Sequence, residues 1–537
     1  MKVAKLNCLV VASWLLVGVC GHAVAEEAKA QLLVGAARVT ITPKGPVWLA
    51  GYESNRRSES KIGELYAACL AVQSGTNQKP LVIVSLDLIG LSNSEVNRIR
   101  ALLPELPPEN VVIACTHTHS GPDTIGLWGE PGKTGVDPEY MEFLRNRVVE
   151  CIKKAVSSLK PASLRFAQGV SVSGVSKNAR VPQILDTELC AMQAIDQDGK
   201  PIVTLVNYAC HPEIFHGKMV TADFPLYLYH RIEQKVGGVP MFLNGALGGM
   251  ITADAKEASE ESGWIREAER IGNTLADAAI DALSRAPSIS EAAVSAERQV
   301  FQVPLENEIF KKAASEGLLP DKTNLQGDSV TTEVCHFTIG PAQFVGVPGE
   351  ALPDIGFLLK RLMKGNPKFV IGLCNDELGY ILSEENYGLK LYEYETSMSV
   401  GPQIGVLVKE KLRPRITAFQ PPQTIPGAEQ LTVANVFQAI PSGFNAANAK
   451  GVKAVYIWRV TGEGGGVWTI IIDDGKCTVK SGEQAKPDVV FEITARDFLD
   501  LITGKLSGME AVFSGRLKIE GDLNLAAQFQ NFFTPPQ

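Results

Sequence analysis

The chain has 537 residues, 45% of them hydrophobic and 20% charged, a composition that excludes a disordered chain and exceeds what one ordinary core needs. Its formal net charge of −8 argues against nonspecific binding to nucleic acid or to anionic membrane surfaces, and no zinc-finger spacing or long basic run opposes that. At the N-terminus, Lys2 and Lys5 precede an apolar run from Cys8 to Cys20, and Ala23-Val24-Ala25 offers small residues for cleavage before Glu26. This layout predicts a signal peptide over 1–25 and export to a periplasmic or extracellular location, the run being short for a membrane span. Lipid anchoring through Cys20 ranks behind, because the branched Val19 precedes it; an uncleaved anchor is the other alternative. The eight cysteines beyond the leader include no CxxC pair, and several lie in apolar runs, so no disulfide framework is expected.

From 32 to 412 short apolar runs alternate with helical stretches. Leu81–Asp87, Ile202–Val206 and Phe369–Leu373 read as buried strands, and 140–159 and 264–283 carry apolar positions spaced for amphipathic helices. The pattern predicts an α/β domain with helices covering its sheets. One of these runs, Val111 to Cys115, leads into Thr116-His117-Thr118-His119-Ser120-Gly121-Pro122. Residues two apart share a strand face, so His117 and His119 are expected in one pocket, as a metal site wants, or else as a hydrogen-bonded pair at a strand end. Three other runs end in polar groups: Asn207-Tyr208-Ala209-Cys210-His211-Pro212, Val347-Pro348-Gly349-Glu350, and Asn375 to Tyr380. Singly, His211 reads as structural or functional, and Glu350 as a ligand or a helix cap.

Pro414, Pro421, Pro422 and Pro426 then punctuate 413–428, which reads as a linker, and 429–537 is long enough for a second core. Within it Ala454–Trp458 and Val467–Ile472 read as antiparallel strands, with Asp473-Asp474-Gly475 as a turn and a helix over Ala495–Ile502.

The Thr-His-Thr-His-Ser-Gly-Pro segment resembles the neutral, non-lysosomal ceramidase family. So do Arg38 to Pro43 with Gly51-Tyr52, the segment ending in His211-Pro212, Ala222-Asp223-Phe224-Pro225, Pro348-Gly349-Glu350, Gly379 to Ser383, and Thr396 to Pro402, in the same order. The resemblance implies a mixed-sheet α/β metallohydrolase domain. It implies a zinc ion (Zn2+) held by His117, His211, Glu350 and Tyr380, with Tyr387, Tyr392 and Tyr394 nearby in sequence, and catalytic roles for His119, Arg180 and Tyr380. The implied reaction is hydrolysis of an N-acyl amide of a lipid-like substrate by metal-activated water. One departure stands out: the family's serine position carries Ile251, so a related metallohydrolase of another ester, lactone or amide, or a non-catalytic lipid-binding protein, are the alternatives. Met250 and Ile251 are expected to line an acyl pocket instead. The tail, through Phe491 to Leu499, Gly504-Lys505 and Phe513 to Asp522, resembles the sterol carrier protein domain, which implies a smaller α+β lipid-binding domain. Phe498, Leu501, Phe513 and Phe529 read equally as ordinary core. The implied partners are a lipid or lipid-like small molecule and, peripherally, a membrane, with no nucleic acid.

Overall fold

The computed structural model describes residues 31–256, 260–319, 325–422 and most of 432–532. The expected signal peptide, residues 423–428 of the expected linker, Gly504-Lys505 and Phe513 lie outside the described residues. The chain divides into two compact units, Met1–Gly427 and Ala428–Gln537.

The first unit is built on two mixed sheets. The larger runs in the order Val239–Asn244, Pro201–Tyr208, Glu188–Asp196, Lys160–Ser171, Leu32–Thr40, Tyr66–Ser74, Leu81–Leu86, Val111–Cys115, with Ser288–Ile289 beside Lys160–Ser171. Its two end pairs are parallel and the pairs between them antiparallel. The smaller sheet joins Val294–Pro304, Ser329–Ile339, Ala342–Gly346 and Lys368–Ile371.

Strand periodicity explains how these sheets stack. Val82, Val84 and Leu86 point toward the helix Pro138–Ser157 and pack with Leu144, Val148 and Ile152. Leu81 and Ile83, on the opposite face, pack with Phe337, Phe344 and Phe369 of the smaller sheet. Those three rings stack with centroids 4.6 and 4.2 Å apart. The outer face of the smaller sheet buries Val345 and Val370 against Ile355, Leu359, Val408 and Leu412. The result is helix, sheet, sheet, helix. Runs that read as uniformly apolar in sequence are those buried on both faces.

The last helix of this unit spans Ile404–Ala418 and contains Pro414, so the folded unit continues past 413, where the linker was expected to begin. Ile404, Val408, Leu412 and Ile416 recur every four residues and are all buried, and their packing outweighs the backbone bond that proline removes.

In the second unit the sheet order is Lys476–Ser481, Gly466–Asp473, Lys453–Thr461, Val489–Thr494, Leu517–Gly521. The hairpin turns at Asp474-Gly475, both with positive φ. The expected antiparallel character is only partial. After the edge strand the chain crosses over, and Val489–Thr494 runs parallel to Lys453–Thr461. Phe437, Trp458, Phe491 and Phe498 are buried in its core, with Leu501 and Phe529 packed against them.

Gly35 shows how closely sheet and helix approach: a Cβ there would lie 2.2 Å from the Ala155 carbonyl oxygen. Gly35→Ala is expected to destabilise the first unit by about 1–3 kcal/mol. Gly45→Ala, with nothing within 4 Å, should stay within about 0.5 kcal/mol in the same urea titration.

Candidate active site

The strand Val111–Cys115 stops before the histidines. His117 has φ +70°, so His117 and His119 belong to a turn and not to one strand face, as their spacing suggested. The turn still brings them together, with ring centroids 5.0 Å apart. The backbone N–H groups of Thr116 and His117 bond to the carbonyls of Leu86 and Leu88, and His117 Nδ1 lies 2.6 Å from the Ile89 carbonyl oxygen, which turns Nε2 inward. His119 needs Gly51 beside it: a Cβ there would sit 2.4 Å from the imidazole Cγ. Tyr52 meets the His119 ring edge-on at 5.0 Å.

His211 follows the strand Pro201–Tyr208. The Ile251 carbonyl accepts its backbone N–H at 2.8 Å and lies 2.9 Å from its Nδ1, leaving Nε2 3.0 Å from Glu350 Oε2. Asn244 ties the two histidine segments together. Its amide donates to the carbonyls of Thr116 (2.9 Å) and Cys210 (2.8 Å), and its oxygen accepts from Cys210 and Gly245 N–H at 3.0 Å.

Glu350 and Tyr380 come from a short parallel ladder, Glu350–Ala351 with Tyr380–Ile381, in which they stand opposite each other. Tyr380 hydrogen-bonds the Glu350 carboxylate. Glu350 Oε1 lies 3.6 Å from His117 Nε2. His117, His119, Glu350 and Tyr380 line one cavity of about 310 Å³ whose other walls are largely apolar, among them Trp128, Met141, Leu305 and Phe310. His211 stands directly behind Glu350.

Arg180 and the Met250-Ile251 pair stand apart from this cavity. Arg180 does not line this cavity; it borders an adjoining crevice, sharing only Tyr394 with it, and its Nε donates to buried Glu395 at 2.8 Å. Met250 and Ile251 do not line the cavity either. Ile251 lies in the ladder with Ser176–Asn178, its side chain is buried, and what it presents to the site is its carbonyl. Tyr380 is the tyrosine that reaches Glu350, with the Tyr394 ring 5.9 Å from its own.

Burial pulls His117 down to about 4. Burial, then His117 and His211, hold His119 well below the usual histidine range. Burial also lowers His211, but Glu213 and Glu350 outweigh it and raise it to about 9. Burial pushes Glu350 up, yet His117, His211 and Tyr380 leave it below its ordinary value. Burial and Glu350 raise the Tyr380 phenol well up. Sequence reasoning missed Glu377, a cavity-lining carboxyl that burial and Glu350 push well up, and whose Oε1 accepts from Gly379 N–H at 3.0 Å. It lies within the Asn375 to Tyr380 segment, but nothing in its spacing singled it out.

Ligand atoms of His117, His119 and His211 lie within 4.8 Å of one another, and neither nitrogen of buried His119 has a hydrogen-bond partner. Once His211 has given up its proton, such a set of imidazoles beside a carboxylate suits a divalent first-row cation.

Residues 436–534 match the model of the SCP-2 sterol transfer family. The same region is 38% identical over 95 residues to hydroxysteroid dehydrogenase-like protein 2 of Xenopus tropicalis, covering 18% of this chain and 23% of that protein. It is 32% identical over 90 residues to human sterol carrier protein 2, covering 16% of each. The chain thus spans about a quarter or less of the curated relatives it matches. Over most of the chain the similarity is structural. Neutral ceramidase from Pseudomonas aeruginosa superposes with a TM-score of 0.61 at 15% identity, covering 82% of this chain and 84% of that one. A ceramidase complexed with C2 gives 0.60 at 15% identity, covering 86% and 90%. The chain therefore has a ceramidase-like mixed α/β fold followed by an SCP2-type domain.

Asn244→Ala would strand the four backbone groups it serves. A loss of about 2–4 kcal/mol in denaturant unfolding is expected, with Asn244→Asp failing to rescue because it cannot donate to Thr116 and Cys210.

Proposed function

We propose that the first unit is an exported, zinc-dependent hydrolase that cleaves an N-acyl amide of a lipid-like substrate, and that the SCP2-type domain binds or presents the acyl chain. The observation that carries this reading is the convergence of His117, His119, His211, Glu350 and Tyr380 on one buried point at an apolar cavity. His117, His211, Glu350 and Tyr380 would hold the ion, with His117 and His211 turned toward it by the Ile89 and Ile251 carbonyls. When bound, zinc supplies Lewis acidity and brings the pKa of water toward neutrality.

This chain's own residues do the rest. The apolar walls exclude water and take the hydrocarbon. His119, neither of whose nitrogens has a hydrogen-bond partner, meets the substrate, takes up the proton that the attacking water gives off and passes it to the departing nitrogen. Arg180, held by Glu395, contacts the part of the substrate beyond Tyr394, so stabilisation of the carbonyl oxygen falls to groups inside the cavity. No protein nucleophile is required. Ile251 offers none, and this favours a second reading in which the scissile bond is an ester or lactone.

Stoichiometric zinc, and release of fatty acid from N-dodecanoyl amides, are expected for the full chain, with His117→Ala lowering kcat/KM by at least about a thousandfold. Cleavage of esters alone would select the second reading. Absence of both metal and hydrolysis would leave a lipid-binding protein.

Ion uptake must also displace the proton that His211 holds up to about 9. Zinc affinity should therefore rise about tenfold per pH unit between pH 6 and 8, measured by competition with a chelator. A flat profile would mean that His211 either is not a ligand or carries no proton in this range.

A further inference from the structure

The smaller sheet brings two thiols to one point. Cys335 lies in the strand Ser329–Ile339 and stands opposite Gly346 in the antiparallel ladder with Ala342–Gly346. Cys374 follows the strand Lys368–Ile371, which flanks Ala342–Gly346 on its other side and pairs Ile371 with Gly346. The two cysteine side chains meet over the glycine. Their sulfurs are 3.7 Å apart, and a Cβ on Gly346 would lie 2.4 Å from Cys335 Sγ and 2.5 Å from Cys374 Sγ. A larger residue there would displace one sulfur or both. Both thiols are buried, and no other pair of thiols hydrogen-bonds among the described residues. Packing alone calls for a small apolar group at each position; it does not call for two sulfurs in contact over a glycine. The spacing in the sequence gave no sign of the pair, since 39 residues separate its members.

Their meeting point lies at the base of the candidate site. Leu373 and Asn375, on either side of Cys374, have φ +50° and +61°, left-handed values that cost a non-glycine residue free energy. Backbone bonds hold this turn: Cys374 N–H donates to the Val347 carbonyl at 2.9 Å, and Asn375 N–H to the Ile113 carbonyl at 2.7 Å. The turn opens the segment that carries Glu377 and Tyr380 to the cavity.

We propose that Cys335 and Cys374 are joined by a disulfide, made by exchange with a small oxidised thiol such as glutathione disulfide, and that this bond clamps the turn at Cys374 to the strand Ser329–Ile339. One cysteine thiolate attacks a sulfur of the small disulfide and releases one small thiol. The other cysteine attacks the protein sulfur of the mixed disulfide and releases the second. The two cysteines are oxidised, the small disulfide is reduced to two thiols, and the two protons pass from the cysteines to the leaving sulfurs. Burial shields the pair in the folded chain, so the exchange takes place before the sheets close. The exported location proposed above would supply the oxidant in the cell, whereas the bond owes nothing to the hydrolase reading.

The test makes the full chain by cell-free synthesis in two batches, one with a mixture of reduced and oxidised glutathione and one with dithiothreitol. Soluble protein is alkylated, digested without reductant and mapped by mass spectrometry. The glutathione batch should yield one peptide pair joined through Cys335 and Cys374, and should melt about 3–6 °C above the dithiothreitol batch. Cys335→Ala and Cys374→Ala should each melt alike in both batches. Alkylation of both cysteines in the glutathione batch, or their joining to other cysteines, overturns the bond. A joined pair with no rise in melting temperature overturns the clamp. Release of fatty acid, scored separately on the same batches, bears on the hydrolase reading and not on the bond.

Discussion

The amide of Asn244 holds the backbone on both sides of the histidine pocket. It reaches the residue before His117 and the residue before His211, and a planar group with two donors and two acceptor positions is what four fixed backbone partners require. The strands that deliver the histidines, Val111–Cys115 and Pro201–Tyr208, are not neighbours in the larger sheet. Asn244 closes that separation with directed bonds, so the spacing of the two imidazoles is set by backbone geometry and not by the side chains' own preferences.

On that frame the site is assembled against its own stability. Three imidazoles and two carboxyl groups crowd one pocket, and neither nitrogen of His119 has a hydrogen-bond partner there. An unpaired buried polar group costs roughly 1–3 kcal/mol, which the surrounding sheets must absorb. The backbone strain is of the same kind. His117 occupies the left-handed region, and Gly51 at φ +100° gives up a side chain so that His119 can occupy the space. These costs converge at one point, whereas the helix-sheet-sheet-helix stack away from it is packed by regular alternation.

Much of that stack is legible in the sequence because alternation is local. Leu81 to Leu86 announces a strand buried on both faces whatever lies elsewhere in the chain. The histidine pair was legible for a less direct reason. The spacing predicted one pocket through a shared strand face, whereas the structure reaches that pocket through a turn at His117, whose positive φ no residue type there announces. Asn244 was not legible at all, since its partner at Thr116 is 128 residues away. Glu377 and Glu395 look like solvated acids until the fold half-buries the first and buries the second, and Arg180 was given a catalytic role by resemblance although it borders a different crevice, sharing only Tyr394 with the cavity.

Ile251 is the clearest case of a residue whose importance lies in its backbone. Read as a side chain, it is the loss of a hydroxyl. In the fold, its carbonyl meets both the backbone N–H and the Nδ1 of His211, and so fixes which nitrogen of that ring faces Glu350. Any residue in that ladder position supplies the same carbonyl, so the exchange of a hydroxyl for a hydrocarbon leaves the orientation of His211 intact. What changes is the character of the neighbourhood: a buried aliphatic group beside the site offers no nucleophile and raises the cost of stray water. On the hydrolase reading proposed above, chemistry there would depend on water, and a single backbone carbonyl keeps the orientation of His211 for it.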